Sequence, residues 1–271
     1  MGKAFWMLGC RDNILRSLLG ALRVVGAIAG AFLLLACASR SPMPDPEPYT
    51  APPGAHHTVA LLGASGRVGG YLLQEALARG YTVRALARTP ARLDEFSDRI
   101  TIVQGDARDP VVIEELLRGS DVVISALGPV KADGDAARFI STTATGNVLR
   151  AMAGAGISQF MIVSGAAVVM PGDNRNLLGW WIRTLVQIGL QNILQDKQAE
   201  YELLAASSAD WMLVRCPLID PQPFRWAPLH SLETPPTFRV RAGELARFMI
   251  DQIDARQFIR QGPFLGSRQV E

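Results

Sequence analysis

Gly63, Gly66 and Gly69 stand three residues apart in the stretch GASGRVGG, directly after the apolar run Thr58–Leu62. The chemistry such spacing serves is phosphate binding by the main chain. Gly63 permits a tight turn, Gly66 leaves room for a pyrophosphate to approach the backbone, and Gly69 lets the next helix lie close to the strand. The helix that opens there offers unpaired N–H groups and a partial positive charge. Ser65, Arg67 and Val68 fill the rest of the loop and are taken with it as cofactor-side residues. The bland reading is a packing turn with no ligand, but a triplet between a strand and a helix at the head of a βαβ series is a specific signal. The next apolar run closes on Ala87-Arg88-Thr89, with no acid before Asp94. An acid at that point would hold the ribose hydroxyls of NAD, whereas the fork of Arg88 suits a 2′-phosphate. Arg67 can assist, so NADP(H) is expected ahead of NAD(H). Either arginine can equally be a solvated surface charge.

The elements that must position these residues are legible from periodicity. Thr58–Leu62, Tyr81–Ala87, Thr101–Gln104, Asp121–Ala126, Gln159–Ser164 and Trp211–Arg215 are short apolar runs rich in β-branched residues, and they read as strands. Between them lie helical patterns over Val68–Ala78, from Asp109-Pro110 to Arg118, from Ala136 to about Ala155, and over Ile193–Ala206. Asp109 is placed to cap its helix, with proline at an allowed first-turn position. Alternation of this kind predicts a parallel sheet with helices on both faces, and near-continuous apolar strands fit burial on both sides. The expected architecture is a single doubly wound α/β (Rossmann) domain over residues 58–271. Pro217–Pro236, with six prolines, reads as a substrate-side loop.

The glycine spacing within GASGRVGGYLLQEAL resembles that of the extended and atypical short-chain dehydrogenase/reductases. The resemblance continues in VRALAR (83–88), QGDARD (104–109), VVISALG (122–128), FMIVSG (160–165), DKQAEYELLAASSADWMLVRCP (196–217) and RVRAGELARFMIDQI (239–253). Together these segments look like the NAD(P)H-binding atypical group that includes NmrA-like proteins and biliverdin-reductase-B-like flavin reductases. That resemblance implies that Asp106 and its neighbour Ala107 face the adenine, and that Ala126, Leu127 and Gly128 line the cofactor ribose. A loop-capping role for Asp106 remains an open alternative.

The resemblance also implies where catalysis would sit. The short-chain dehydrogenases present a serine, then a tyrosine four residues before a lysine. Ser164 matches the serine and Lys197 the lysine, but Ile193 occupies the tyrosine position. Tyr201, four residues after Lys197, lies one helical turn the wrong way. Lys197 with Glu200 and Glu202 can also be read as no more than a charged helix face. Two functions survive the missing proton donor. One is an oxidoreductase that passes hydride directly to a flavin, quinone or carbonyl-type acceptor, with the proton drawn from solvent. The other is a dinucleotide-binding sensor or scaffold without turnover, as in NmrA-like members. Trp180-Trp181, Leu185 and Ile188 offer a wall for a flat aromatic acceptor, lid-helix packing, or an apolar patch facing a membrane.

Composition narrows the field further. The net charge is only +2, from 27 basic and 25 acidic residues, and no basic stripe argues for a nucleic-acid partner. Hydrophobic residues make up 49% of the chain, which excludes wholesale disorder. Cys10, Cys37 and Cys216 have no metal-type or disulfide spacing, and Cys216 reads as an inert small hydrophobe. His56 and His57 read as solvated linker residues, so no metal is expected. Part of the apolar excess lies at the N-terminus. Lys3, Arg11, Arg16 and Arg23 precede thirteen uncharged residues, Val24–Ala36, that close on Cys37. A basic region, a short apolar core and a small residue before the cut form the pattern of a secretory signal. Leu34-Leu35-Ala36-Cys37 also resembles the lipobox of bacterial lipoproteins, which implies a lipid anchor at Cys37, a membrane association and an extracytoplasmic domain. An uncleaved anchor helix is one alternative, and a start codon further along, for instance at Met43, would give a cytoplasmic protein. Residues 38–57 hold six prolines and read as a semi-rigid spacer.

Overall fold

The computed structural model describes residues 57–128, 134, 138–174 and 191–268. The expected signal segment 1–37 with Cys37, the expected linker up to residue 56 and the Trp180–Ile188 segment lie outside the described residues. Strand β1 (Thr58–Leu62) pairs in parallel with β2 (Thr82–Ala87) on one side and with β4 (Val122–Ser125) on the other. Strand β3 (Thr101–Gln104) lies outside β2, while β5 (Gln159–Gly165) and β6 (Asp210–Cys216) extend the sheet beyond β4, all in parallel. The chain therefore runs outward from β1 through β2 to β3, then returns to the other side of β1. That reversal opens a crevice between the carboxyl ends of β1 and β4, where doubly wound folds bind ligands.

Alternate residues of the strands feed two cores. Val59 and Leu61 of β1 face helices α1 (Gly69–Ala78) and α5 (Ala242–Ala255), together with Leu72, Leu73 and Ile253. Ala60 and Leu62 face the opposite layer, α2 (Pro110–Leu117), α3 (Ile140–Ala155) and α4 (Gln191–Ala206), with Ile113, Val148 and Leu204. All four β1 residues are buried, which explains a strand without polar alternation. Asp109 caps α2 by accepting the Val111 N–H at 2.9 Å. Helix α3 stops at Gly156, which takes the left-handed conformation at φ 71°. Its described start is Ile140, later than the expected Ala136. His57 is not a free linker residue: its Nε2 lies 3.0 Å from Asp254 Oδ1 and its ring meets Tyr81 edge-on.

The C-terminal part departs from expectation. Within the segment 217–236, read as a loop, β7 (Leu218–Asp220) pairs in parallel with β9 (Arg239–Arg241). Strand β8 (Leu229–Ser231) pairs antiparallel with β10 (Phe264–Gly266), and β10 adds to β6 in parallel. Among the described residues the doubly wound sheet therefore has eight strands with one antiparallel edge. Three-residue strands carry too little periodicity to be seen in a sequence, and their partners lie tens of residues away.

Candidate functional site

The glycine loop is built by contact at atomic range. Gly63 has φ +82°, and a Cβ there would lie 2.9 Å from the Ala126 carbonyl oxygen on the neighbouring strand end. A Cβ on Gly69 would lie 1.9 Å from the Gly63 carbonyl oxygen. That oxygen already accepts the Gly66 N–H at 2.9 Å, which closes the turn. Ser65, Gly66 and Arg67 are exposed, and a Cβ on Gly66 would sit 3.0 Å from Gly63 O. Val68 precedes α1, and no side chain caps the helix. The exposed loop thus leads into the N-terminus of α1, a helix start of the kind that suits an anionic pyrophosphate.

The other strand ends frame the same crevice. Arg88 follows β2 directly and is exposed; Ala87 is buried beneath it. Asp106 follows β3 and accepts the Arg108 N–H and Nε at 2.9 Å through Oδ1, and Nη2 at 2.6 Å through Oδ2. These Arg108 contacts hold the Asp106 carboxyl below the usual carboxylate range, with a further pull from the charge of Arg88. The loop-capping role is thus present, and it ties Asp106 to its own turn. Buried Ala107 is fixed from α3: Asn147 Nδ2 donates to the carbonyls of Ala107 and Arg108 at 3.1 and 3.0 Å. Sequence reasoning did not find Asn147. Its signal was an amide on the buried stripe of α3, beside Ala144 and Val148. Ala126 and Leu127 are half-buried after β4, and Gly128 is exposed.

Ser164, the penultimate residue of β5, has a buried hydroxyl with no hydrogen-bond partner among the described residues. Lys197, on α4, is not a surface charge. It is 7% exposed, and its Nζ donates to Leu127 O at 3.1 Å, Val163 O at 3.3 Å and Glu200 Oε2 at 2.9 Å. Glu200 is buried as well, and burial raises its carboxyl above the ordinary value; only Glu202 of that run is exposed. The charged-face reading of Lys197 and Glu200 is therefore corrected: both are desolvated and satisfy each other. Ile193 is 37% exposed and offers no proton. Tyr201 packs edge-on against Trp211 with ring centroids 6.0 Å apart, and its burial raises the phenol pKa. Cys216 is buried at the end of β6, and desolvation pushes its thiol up.

Beside Ser164, in register on β6, sits Arg215, 1% exposed. It pairs with Asp173 at 2.6 Å, donates to Gly262 O at 2.8 Å and lies 3.6 Å above the Phe264 ring centroid. This residue joins the segment after β5 to the C-terminal strands. The lone cation inside the apolar run WMLVRC was its sequence signal. Among the described residues no cluster of His, Cys, Asp or Glu has the form of a metal site, and no helix is long and apolar enough to cross a membrane.

Comparison with known proteins agrees with this geometry. Residues 63–256 match the family described as NAD(P)H-binding. Cinnamoyl-CoA reductase 1 of Oryza sativa subsp. japonica is 28% identical over 131 residues, covering 45% of this chain and 38% of that protein. The chloroplastic divinyl chlorophyllide a 8-vinyl-reductase of Zea mays is 30% identical over 154 residues, covering 51% and 38%. The chain thus spans about two fifths of the length of these curated relatives. Among solved structures, the anaerobillin reductase ChuY of Escherichia coli O157:H7 superposes with a TM-score of 0.66 at 19% identity, covering 79% of this chain and 98% of that one. The oxidoreductase ylbE of Lactococcus lactis gives 0.63 at 15%, covering 79% and 92%. With the glycine turn, the switch-point crevice and a family match over residues 63–256, the chain belongs to the NAD(P)H-binding family.

Proposed function

We propose that this protein is an NADP(H)-dependent reductase that delivers hydride to a flavin, quinone or carbonyl-type acceptor without a protein proton donor. The observation that carries the reading is an intact phosphate cradle beside a catalytic position that lacks its acid: Ile193 stands one helical turn before Lys197. The residues present fit a dinucleotide, because a Cβ at Gly63, Gly66 or Gly69 would crowd or collide with neighbouring backbone. Arg67 and Arg88, both exposed, supply positive charge for a 2′-phosphate, and the end of β2 carries no carboxylate to select NAD. The nicotinamide, when bound, supplies the hydride. Ser164, whose hydroxyl has no partner among the described residues, can turn it to ligand near the end of β5, and water supplies the proton. The reductase names among the curated relatives support the reaction class; no acceptor is carried over from them.

The experiment is titration of the full chain with NADPH and NADH by calorimetry, followed by absorbance assays with flavin and quinone acceptors. Tight NADPH binding with turnover is the expected result. Binding without turnover would replace the reductase with a sensor or scaffold, and no binding would leave only a shared shape.

The leader belongs to the same proposal: the enzyme is exported and held to a membrane by lipid on Cys37. Nicotinamide dinucleotides are normally cytoplasmic, so an exported domain either holds its dinucleotide already bound or has lost turnover. Cys37→Ala is expected to move the protein from the detergent phase to the aqueous phase in a detergent partition; unchanged partition would defeat the anchor.

A further inference from the structure

We propose that Lys197 is a positioning residue, a strut that locks the carboxyl ends of β4 and β5 together and so shapes the nucleotide crevice, rather than a ligand of the dinucleotide. The inference rests on dinucleotide binding in this crevice. An ammonium has three N–H donors, and in Lys197 all three are used, by Leu127 O after β4, by Val163 O within β5 and by Glu200 Oε2. Reaching a ribose would require it to abandon one of these acceptors. Each of them lies in a part-buried or buried contact, where an unmet acceptor is costly.

The base of the strut is rigid. Glu200 is fully buried, and its other carboxylate oxygen accepts the Thr145 hydroxyl of α3 at 3.1 Å. Asp196, the residue before Lys197, accepts the Ser141 and Thr142 N–H groups at the start of α3, at 2.9 and 2.8 Å. Helix α4 is therefore pinned to α3 through positions 196 and 200, and position 197 projects from between them toward the sheet. What the ammonium grips is also placed to matter. Leu127 adjoins Ala126, whose carbonyl oxygen is the atom that forbids a side chain on Gly63. Val163 precedes Ser164, whose hydroxyl has no partner among the described residues. One cation thus holds the peptide next to the one behind the glycine loop and the peptide that carries the serine.

The test uses Lys197→Met in the full chain, read in two ways. Without ligand, hydrogen exchange followed by mass spectrometry is expected to rise together in the segments 122–128 and 159–165. Exchange that rises in α4 alone would overturn the strut. With ligand, affinity is measured for NADPH and for adenosine 2′,5′-bisphosphate, which has no nicotinamide ribose. Both are expected to weaken by the same factor, about tenfold, as for effects passed through a packed network. Loss confined to NADPH would make Lys197 a ribose ligand, and no loss for either would remove its positioning role. Should the buried Glu200 prevent Lys197→Met from folding, the pair Lys197→Met with Glu200→Leu removes both charges and is read in the same two ways. If the wild type binds neither ligand, the dinucleotide reading fails while the exchange arm still decides the strut.

Discussion

Gly69 and Gly70 are adjacent at the start of α1, yet alanine is expected to be harmful at one and harmless at the other. At Gly70 a Cβ would sit 4.0 Å from the Ala64 carbonyl oxygen, an ordinary contact. At Gly69 it would sit 1.9 Å from Gly63 O, 2.6 Å from Gly63 C and 2.9 Å from Ala64 Cα, all backbone. Restoring normal contact requires a separation of roughly 1.5 Å between helix and loop. The loop cannot yield cheaply, because Gly63 O is held by the Gly66 N–H and Gly63 lies against Ala126. The helix cannot yield cheaply either, because Leu72, Leu73 and Ala76 are buried against the sheet. Overpacking of a tight core costs about 1–3 kcal/mol, and here backbone must move, so about 3 kcal/mol is expected for Gly69→Ala. In a domain of this size that lowers Tm by about 6–12 °C. Gly70→Ala should be neutral or stabilising by up to about 1 kcal/mol, since alanine favours helix. The same displacement tilts the helix N–H groups away from the phosphates, so Gly69→Ala should also weaken NADPH by about tenfold or more. Thermal melts and calorimetric titration of the two variants side by side are the assay. Equal melting temperatures and equal NADPH affinities would refute the argument that the third glycine is required by helix-to-loop contact.

Two further outcomes are expected. Tyr81 donates to Asp254 at 2.8 Å, and burial, followed by that carboxylate, pushes its pKa from 10.0 up to about 12. The folded state keeps a proton that the unfolded chain releases, so the stabilisation is complete below pH 10 and is lost as pH rises from about 10 to about 12; urea melts of wild type and Tyr81→Phe across that window should diverge in slope, and parallel slopes would contradict it. Arg88→Glu should weaken NADPH by about tenfold, the low end for a charge-assisted contact because Arg88 is exposed, and should spare NADH; calorimetry showing equal loss for both would remove the 2′-phosphate role.

Much of the framework could be read before any coordinates. Strands β1 and β3 fall on the expected residues, β2 and β5 differ from expectation by a residue at one end, and β4 and β6 by a residue at each end. Their sequences are apolar because both faces are buried, and a run such as VALL has few other uses. Asp109-Pro110 marked the start of α2 because a cap and a first-turn proline act locally. The glycine triplet was legible for the same reason: its constraint lies within one turn. The strands β7 to β10 were not, because their pairing joins residues distant in sequence and only three residues long. Asn147 and Arg215 had faint signals, each a polar group on an apolar stripe. Their partners, the carbonyls of Ala107, Arg108 and Gly262, are backbone atoms that no sequence pattern names.

Helix α4 shows most sharply why the crevice was harder to read than the sheet. Its buried residues are Asp196, Lys197, Glu200 and Leu204, so three of the four are charged. Hydrophobic periodicity cannot find a buried face made of ions, and an i, i+3 lysine–glutamate pair looks the same in sequence on a wet surface and in a core. What separates the two cases is whether every donor and acceptor has a partner, and here Leu127, Val163, Thr145, Ser141 and Thr142 supply them from β4, β5 and α3. An apolar stripe would have docked α4 at less desolvation cost. A buried ionic stripe that also holds two strand ends beside the glycine loop departs from local rules at the one place where the fold must present a shaped opening, which is where such departures are expected.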